Sequence, residues 1–378
     1  MDQTVTTFSY LLQTAILGGI MGLLSQRLRD EYTKHVGVLF SCFWILATAG
    51  IFLKLGDEQA IFYSSDQIHH LNSILKLRIS GLSMEPSAVL GYRYVISIPA
   101  TLLNLLGIHP LLAFKFLQGT CVLILLSVST DWAKSQIGYM PRWGYLLIIG
   151  PSLMLNSVLA LRDTALATAA VVTMFHPRWR IRIVAAVAVL GLRPQMLVAL
   201  LFGTVLGYAI QACGPIIRAV AGLAGFLAGR VLFEIASDTY ARSSNLFWAD
   251  LFTQTGIARL LLSIVGMQFL SVNPDTVNLE FRELFILRAI FFDTWLIPLS
   301  FTIFYLVGSA QHRGKRQLLN ALAISFCIYI GIGSQTDFSS SRQSMPFFAS
   351  MGLVLIIVLA GYDQGRVAKS SSVHDLNF

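Results

Sequence analysis

The feature that most constrains this chain is a series of long apolar runs separated by short polar connectors. The run at 36–54 is typical, because it contains no charged residue before Lys54. A helix needs about 20 mostly apolar residues to cross a bilayer, and these runs lack the alternation of barrel strands. Only 12% of the residues are charged, against roughly 25% in soluble domains.

The sequence therefore predicts an all-α fold, a polytopic transmembrane helical bundle of about 11 spans. We interpret residues 1–378 as a single integral membrane domain. The predicted spans are 8–25, 36–54, 111–129, 143–160, 164–175, 183–192, 196–213, 217–233, 288–307, 318–333 and 347–361.

Basic residues predict the orientation of these spans, because short cytoplasmic loops are enriched in lysine and arginine. The same enrichment accounts for the net charge of +8, so the charge does not indicate nucleic-acid binding. The pattern predicts an N-terminus outside and a C-terminus in the cytoplasm. The residues that mark the cytoplasmic side are Arg27, Arg29, Lys34, Lys134, Arg142, Arg178, Arg180, Arg182, Arg313, Lys315 and Arg316.

Two further apolar stretches do not suit a full crossing. The stretch 90–107 is interrupted by Arg93, Pro99 and Asn104, and a crossing there would place the later basic loops outside. The stretch 257–272 conflicts with the same charge pattern. We expect both to be interfacial or re-entrant helices within two long external loops, about 55–110 and 234–287.

Ionisable residues gather on the predicted outer side, where charges at membrane depth must be paired or hydrated. Carboxylates suit a general base or a metal ion, and arginine suits phosphate or carboxylate oxygens. The candidate residues are Asp57, Glu58, Asp66, Arg93, Arg162, Asp163, Arg193, Asp337 and Arg342.

Purely structural roles remain open for these charges. Asp57 and Glu58 can be interface charges, and Arg162 with Asp163 can close a helical hairpin. Arg193 can mark a membrane boundary, and the loop holding Asp337 and Arg342 can simply be solvated. The adjacent pair His69-His70 has no acid at helical spacing, so we predict no metal site there. The cofactor is left open, with a divalent cation as one alternative.

Several function classes lack their motifs in this sequence. It contains no P-loop, no Gly-x-Ser-x-Gly and no His-Glu-x-x-His, which argues against ATP-driven transport and the common hydrolases. The four cysteines lie in apolar runs without metal or redox spacing.

Four segments in this order resemble the GT-C superfamily of membrane glycosyltransferases, which includes protein O-mannosyltransferases and lipid A aminoarabinose transferases. The segment 56–63, GDEQAIFY, is similar to the family's Asp-Glu and aromatic in the first large external loop. The stretch 91–126 is similar to its juxtamembrane helix and following span. The segment 151–163 resembles a stretch that brings a second acid outside, and 342–346, RQSMP, resembles a late Arg-Tyr-x-x-Pro element.

The resemblance implies sugar transfer from a polyprenyl-phosphate donor to a glycan or lipid acceptor at the outer membrane face, in cell-surface glycan assembly. It implies Asp57 as the catalytic base, with Glu58 or Asp66 as alternatives, and Asp163 as a ligand of the acceptor or of a metal. Arg162, Arg193 and Arg342 would hold the lipid phosphate. We expect a multi-pass protein of the bacterial inner (plasma) membrane. A polysaccharide repeat-unit polymerase or ligase, and a lipid-linked solute transporter or flippase, remain alternatives.

Overall fold

A computed structural model describes residues 3–55, 64–80, 91–159, 162–236, 291–307, 313–333 and 346–360. Within these ranges all regular secondary structure is helical, which confirms the all-α fold class. Three of these helices are long and apolar enough to cross a membrane, and further apolar helices are shorter. The three long ones are Thr6–Ser25, Glu31–Lys54 and Pro110–Ile137.

The described helices fall into two compact units. Unit 1 holds the described residues of 1–128 and 149–194, and unit 2 holds those of 129–148, 195–276 and 288–378. The first seven helices are α1 (Gln3–Ser25), α2 (Glu31–Leu55), α3 (Ser64–Ser80), α4 (Gly91–Leu105), α5 (Pro110–Ile137), α6 (Gly144–Ile148) and α7 (Pro151–Val158). The others are α8 (Asp163–Phe175), α9 (Trp179–Leu192), α10 (Pro194–Ala209), α11 (Pro215–Ala236), α12 (Leu296–Val307), α13 (Arg313–Gly333) and α14 (Pro346–Ala360).

The predicted span 143–160 is wrong as a single helix. The chain forms α6 and α7 instead, with a break at Ile149–Gly150. Pro151 lacks a backbone N–H, so it cannot continue a helix from the preceding turn but is well suited to start one. Gly150 accordingly takes an extended conformation at the N-cap of α7.

In unit 1, α1 and α2 form an antiparallel pair. The ring of Tyr10 stacks on Phe52 with 4.0 Å between centroids, and Gly18 lies directly against Ile45. Helix α5 runs in the same direction as α1. Gln13, in the first half of α1, contacts Gly107 and His109 just before α5, and Met21, near the end of α1, contacts Gly119 within α5. A Cβ at Gly119 would lie 2.7 Å from the Met21 side chain, so glycine permits this close approach.

The carboxamide of Gln13 ties α1 to the turn between α4 and α5. Its Oε1 accepts from the His109 backbone N at 2.8 Å, and its Nε2 donates to the Gly107 carbonyl at 3.3 Å. Gly107 has φ +89°, the left-handed conformation that often ends a helix and that glycine adopts without strain.

Replacing Gln13 with leucine is expected to destabilise the folded protein by about 1–2 kcal/mol, because two hydrogen bonds to this turn are lost. The apparent melting temperature in detergent measures the effect. Gln136→Leu is the matched control, since the Gln136 side chain is exposed and bonds only to the neighbouring Ser135 hydroxyl among the described contacts. Equal melting temperatures for the two variants would contradict the structural role of Gln13.

Helix α8 also runs in the same direction as α5. Gln118 of α5 contacts Ala165, and Cys121, one turn later, contacts Thr168. Helix α9 returns antiparallel to α8, because Arg162 bonds to the carbonyl of Leu192. Helices α1, α5 and α8 therefore run in one direction, and α2 and α9 run in the other. Because Gln118 is the ninth residue of α5, α8 starts about two turns deeper in the unit than α5 does. We call the side of unit 1 from which α1, α5 and α8 start the Asp163 end.

The opposite end of unit 1 carries two basic connectors, and we call it the basic end. Helix α1 leads there into the connector holding Arg27 and Arg29. Helix α8 leads there into the connector before α9, which holds Arg178, and Arg182 follows in the first turn of α9. The two basic segments thus lie at the same end of the unit, as the charge pattern of the sequence predicts for a shared membrane side.

Helices α3 and α4 lie across the Asp163 end. Val95 of α4 packs against Gly191 near the end of α9, whereas the other end of α4 leads to the turn held by Gln13. Arg78 of α3 donates to Asn104 Oδ1 at 3.2 Å. Both ends of α4 are therefore at one end of the bundle, and its length of about 22 Å is less than the roughly 30 Å of a bilayer core.

Unit 2 is packed through glycine. Helices α11 and α13 run in the same direction, with Gly225 against Ile324 and Gly229 against Ile328. A Cβ at Gly229 would overlap the Ile328 carbonyl oxygen. A Cβ at Gly331 would overlap the Phe226 carbonyl oxygen. The two backbones thus touch directly, which is the packing that small residues allow between membrane helices.

Helices α10 and α12 run opposite to this pair. Gly203 and Gly207 of α10 lie against Ser325 and Ala321 of α13, in reverse order. Arg218 donates to the Tyr305 carbonyl at 2.7 Å, and the Tyr305 hydroxyl donates back to the Arg218 carbonyl. These directions agree with the predicted alternation of the spans, within the part of unit 2 that is described.

Candidate functional site

The described structure includes three of the predicted site residues with their side chains: Arg162, Asp163 and Arg193. Asp66 and Arg93 belong to α3 and α4, but their side chains are outside the description. Asp57, Glu58, Asp337, Arg342 and the predicted interfacial stretch 257–272 also lie outside the described residues.

The hairpin of α8 and α9 brings the three described residues together at the Asp163 end. Arg162 Nη1 donates to the Leu192 carbonyl at 3.1 Å, next in sequence to Arg193. Both arginine side chains are half-buried. Arg162 therefore closes the α8–α9 hairpin by binding a backbone carbonyl, which is the kind of structural role considered for it from the sequence. Its remaining N–H groups and the Arg193 guanidinium still give this end a concentration of cationic donors.

Asp163 is the first residue of α8 and is fully buried, with 0% of its surface exposed. The first turn of a helix stabilises negative charge through its unpaired N–H groups. Arg162, at the N-cap, makes no side-chain capping bond. Gln118 of α5 supplies one from another helix, since its Oε1 accepts from the Ala165 backbone N at 3.0 Å.

Lys115 is a buried cation that the sequence-based prediction missed. Only 1% of its surface is exposed. It lies one turn before Gln118, and because α5 and α8 run in parallel, this places it at the level of Arg162 and Asp163. The signal was available: a lone lysine inside the apolar run 111–129 is the kind of intramembrane charge that serves a function by default.

Helix α3 covers this layer. The ring of His70 lies 4.5 Å from the ring of Phe114, the residue before Lys115, and His70 is buried. The pKa of His109 is lowered to about 4, mainly by its partial burial and secondly by the positive charge of Lys115. His109 is therefore neutral at pH 7, and the cationic character of this end comes from lysine and arginine.

No group of three or more histidine, cysteine or acidic residues that could hold a metal occurs among the described residues. Asp163 is the one predicted acid whose side chain is described. The alternative of a divalent cation therefore stays a prediction.

Unit 2 contains two buried charged residues that the sequence-based prediction did not include. Arg230 of α11 is 0% exposed and Asp293, just before α12, is 2% exposed. The end of α11 and the start of α12 share one end of unit 2, because Arg218 and Tyr305 join the opposite ends of these helices. Such residues are costly in an apolar unit and indicate a structural or binding role.

The arrangement at the Asp163 end combines cationic donors with one buried carboxylate. Cations there can bind an anion such as a phosphate, and the carboxylate can accept a hydrogen bond from a hydroxyl group. Comparison of the chain with protein-family models, with curated proteins and with solved structures finds no match.

Proposed function

We propose that the protein is a membrane glycosyltransferase that moves a sugar from a polyprenyl-phosphate donor to a glycan or lipid acceptor. The proposal places it in the bacterial inner membrane with about 11 spans, the N-terminus outside and the C-terminus in the cytoplasm. The Asp163 end of unit 1 then faces outward, and the basic end faces the cytoplasm.

The observation that carries the proposal is the charged layer at the Asp163 end. Arg162, Arg193 and Lys115 lie there with the buried carboxylate of Asp163. Helix α2 also ends at this end of the unit, so the segment bearing Asp57 and Glu58 starts from it. A site with charges of both signs suits a phosphate-bearing substrate attacked by a hydroxyl group.

In the proposed reaction, the acceptor hydroxyl oxygen forms a bond to the anomeric carbon of the donor sugar. The bond from that carbon to the phosphate oxygen breaks, and polyprenyl phosphate leaves with the electron pair. Asp57 accepts the proton, with Glu58 or Asp66 as alternative bases. Asp163 orients the acceptor, and the cations stabilise the leaving phosphate.

The arginines divide into two groups in this scheme. Arg162 and Arg193 hold the lipid phosphate from unit 1, because they converge at the end of the α8–α9 hairpin. Arg342 is assigned the same role by the sequence resemblance alone. Asp337 and Arg93 are assigned substrate contacts from their predicted positions, Asp337 in an external loop and Arg93 at the level of the bilayer headgroups.

A polysaccharide polymerase or ligase is the second candidate. It is favoured by the excess of cations over carboxylates among the described side chains at this end, because a pyrophosphate-linked donor carries more negative charge. In the layer at the start of α8, the three cations Lys115, Arg162 and Arg193 accompany the acid Asp163.

The test is transfer of labelled sugar by the purified protein in lipid vesicles, from a polyprenyl-phosphate monosaccharide or from a polyprenyl-pyrophosphate oligosaccharide. We expect transfer from the first donor. The double variant Arg162→Met/Arg193→Met should lower the rate by about 100-fold or more, because two donors to the leaving phosphate are lost.

Arg142→Met is the matched control, because Arg142 is exposed and belongs to unit 2, and it should transfer at the wild-type rate. Transfer from the pyrophosphate donor alone would favour the polymerase. Movement of label across the bilayer without a new glycosidic bond would instead identify a transporter.

A further inference from the structure

Two buried polar side chains of unit 1, Gln118 and Thr164, have no assigned role, and they lie close to Lys115 where α5 meets the start of α8. Lys115 is 1% exposed, and Gln118 and Thr164 are each 0% exposed. Gln118 Nε2 and Thr164 Oγ1 have no hydrogen-bond partner within the described part of the chain. Buried donors are normally paired, so these two atoms indicate that a ligand group completes them. We call the three residues the Lys115 subsite.

The subsite lies at the start of α8. Because Gln118 Oε1 accepts from the Ala165 backbone N at 3.0 Å, the Nε2 group of the same carboxamide is also at this helix start. Thr164 is the second residue of α8. The positive end of the helix dipole, a carboxamide N–H₂ and a hydroxyl belong to this helix start, and Lys115 lies one turn before Gln118 on α5. Together these groups favour an anion.

The net charge of the surroundings agrees with an anionic ligand. Asp163 offsets one positive charge, whereas Lys115 and the half-buried Arg162 and Arg193 supply three. We propose that the Lys115 subsite binds the phosphate group of a polyprenyl-phosphate. This proposal rests on the proposed function for the identity of the lipid, but its test does not require catalysis.

The subsite residues are covered in the structure. His70 of α3 packs nearby on Phe114, the residue before Lys115, with 4.5 Å between the ring centroids.

The experiment measures binding of a radiolabelled short-chain polyprenyl monophosphate to the full-length protein in nanodiscs. Lys115→Met should weaken binding by about 10- to 100-fold, the effect of losing one charge-assisted hydrogen bond. Lys115→Arg keeps the charge and should bind within a few-fold of wild type. Lys134→Met is the control, because Lys134 is an exposed lysine later in the same helix.

Two competitors identify the recognised group. If inorganic phosphate displaces the lipid from wild type, the subsite reads the phosphate itself. If only the lipid-linked form binds, the polyprenyl chain contributes to binding as well. Either result supports the proposal, provided that Lys115→Met weakens the binding. Polyprenol, which lacks phosphate, binding as tightly as the phosphate ester would overturn it.

If Lys115→Met does not fold, the Thr164→Val variant tests whether the subsite binds the lipid phosphate. Loss of the Thr164 hydroxyl should weaken binding several-fold, and unchanged binding would overturn the proposal. Failure of the proposed function is a separate result. If the wild-type protein binds the lipid through Lys115 but transfers no sugar, the subsite is supported and the glycosyltransferase proposal is contradicted. If the protein transfers sugar and Lys115→Met binds the lipid as tightly as wild type, the glycosyltransferase proposal is supported and the subsite is contradicted.

Discussion

Replacing Gly229 with alanine is expected to lower the apparent melting temperature of the protein by roughly 1–4 °C. The added Cβ would overlap the Ile328 carbonyl oxygen and lie 2.9 Å from its carbonyl carbon. Both are backbone atoms of α13, so the clash cannot be relieved by rotating a side chain. Overpacking of this kind typically costs about 1–3 kcal/mol, and here α11 and α13 must separate along their contact.

Gly19→Ala is the matched control for this prediction. Gly19 is exposed on α1, and a Cβ there would meet nothing within 4 Å. Alanine has a higher helix propensity than glycine, so the control should be neutral or stabilised by up to about 1 kcal/mol. Detergent thermal unfolding of the three proteins measures both effects. A Gly229→Ala protein as stable as Gly19→Ala would show that α11 and α13 are not in backbone contact.

Replacing Asp163 with asparagine is expected to lower the rate of sugar transfer by about 100-fold or more, the range of a lost acid–base or orienting carboxylate. Asparagine has nearly the same shape, so the change removes charge and acceptor strength while it keeps the volume of a fully buried side chain. The readout is transfer of labelled sugar per mole of folded protein.

Asp131→Asn controls for the loss of an acid elsewhere, because Asp131 lies in the part of α5 assigned to unit 2. Its transfer rate should equal that of wild type. Size-exclusion profile and membrane abundance establish that Asp163→Asn is folded. If this variant is folded and transfers sugar at the wild-type rate, Asp163 has only a structural role at the start of α8.

Much of the helical framework could be predicted from the sequence, because apolar runs of sufficient length have few alternatives to helix. For α4, Arg93, Pro99 and Asn104 predict an interfacial or re-entrant helix, and this stays a prediction. The structure forms a helix there of 15 residues, Gly91–Leu105. The α8–α9 hairpin followed from charge parity, which placed Arg162, Asp163 and Arg193 together before any contact was known.

Other features depend on which helices pack together, and one-dimensional patterns do not carry that information. Lys115 and Gln118 stand out only once α5 is seen beside the start of α8. Arg230 and Asp293 likewise become notable through their burial in unit 2. The break before Pro151 was missed because the run 143–160 was judged by its hydropathy, whereas the missing N–H of proline decided the local structure.

In the proposed mechanism, sugar transfer takes place at the Asp163 end of unit 1, with a carboxylate of the segment 56–63 as the base. The most direct measurement compares wild type with Asp57→Asn, at equal membrane abundance, for transfer from a labelled polyprenyl-phosphate sugar. We expect wild type to transfer the label and Asp57→Asn to lose about 100-fold or more of the rate. Wild-type protein that transfers no sugar to any acceptor, or an Asp57→Asn variant as active as wild type, would contradict the account.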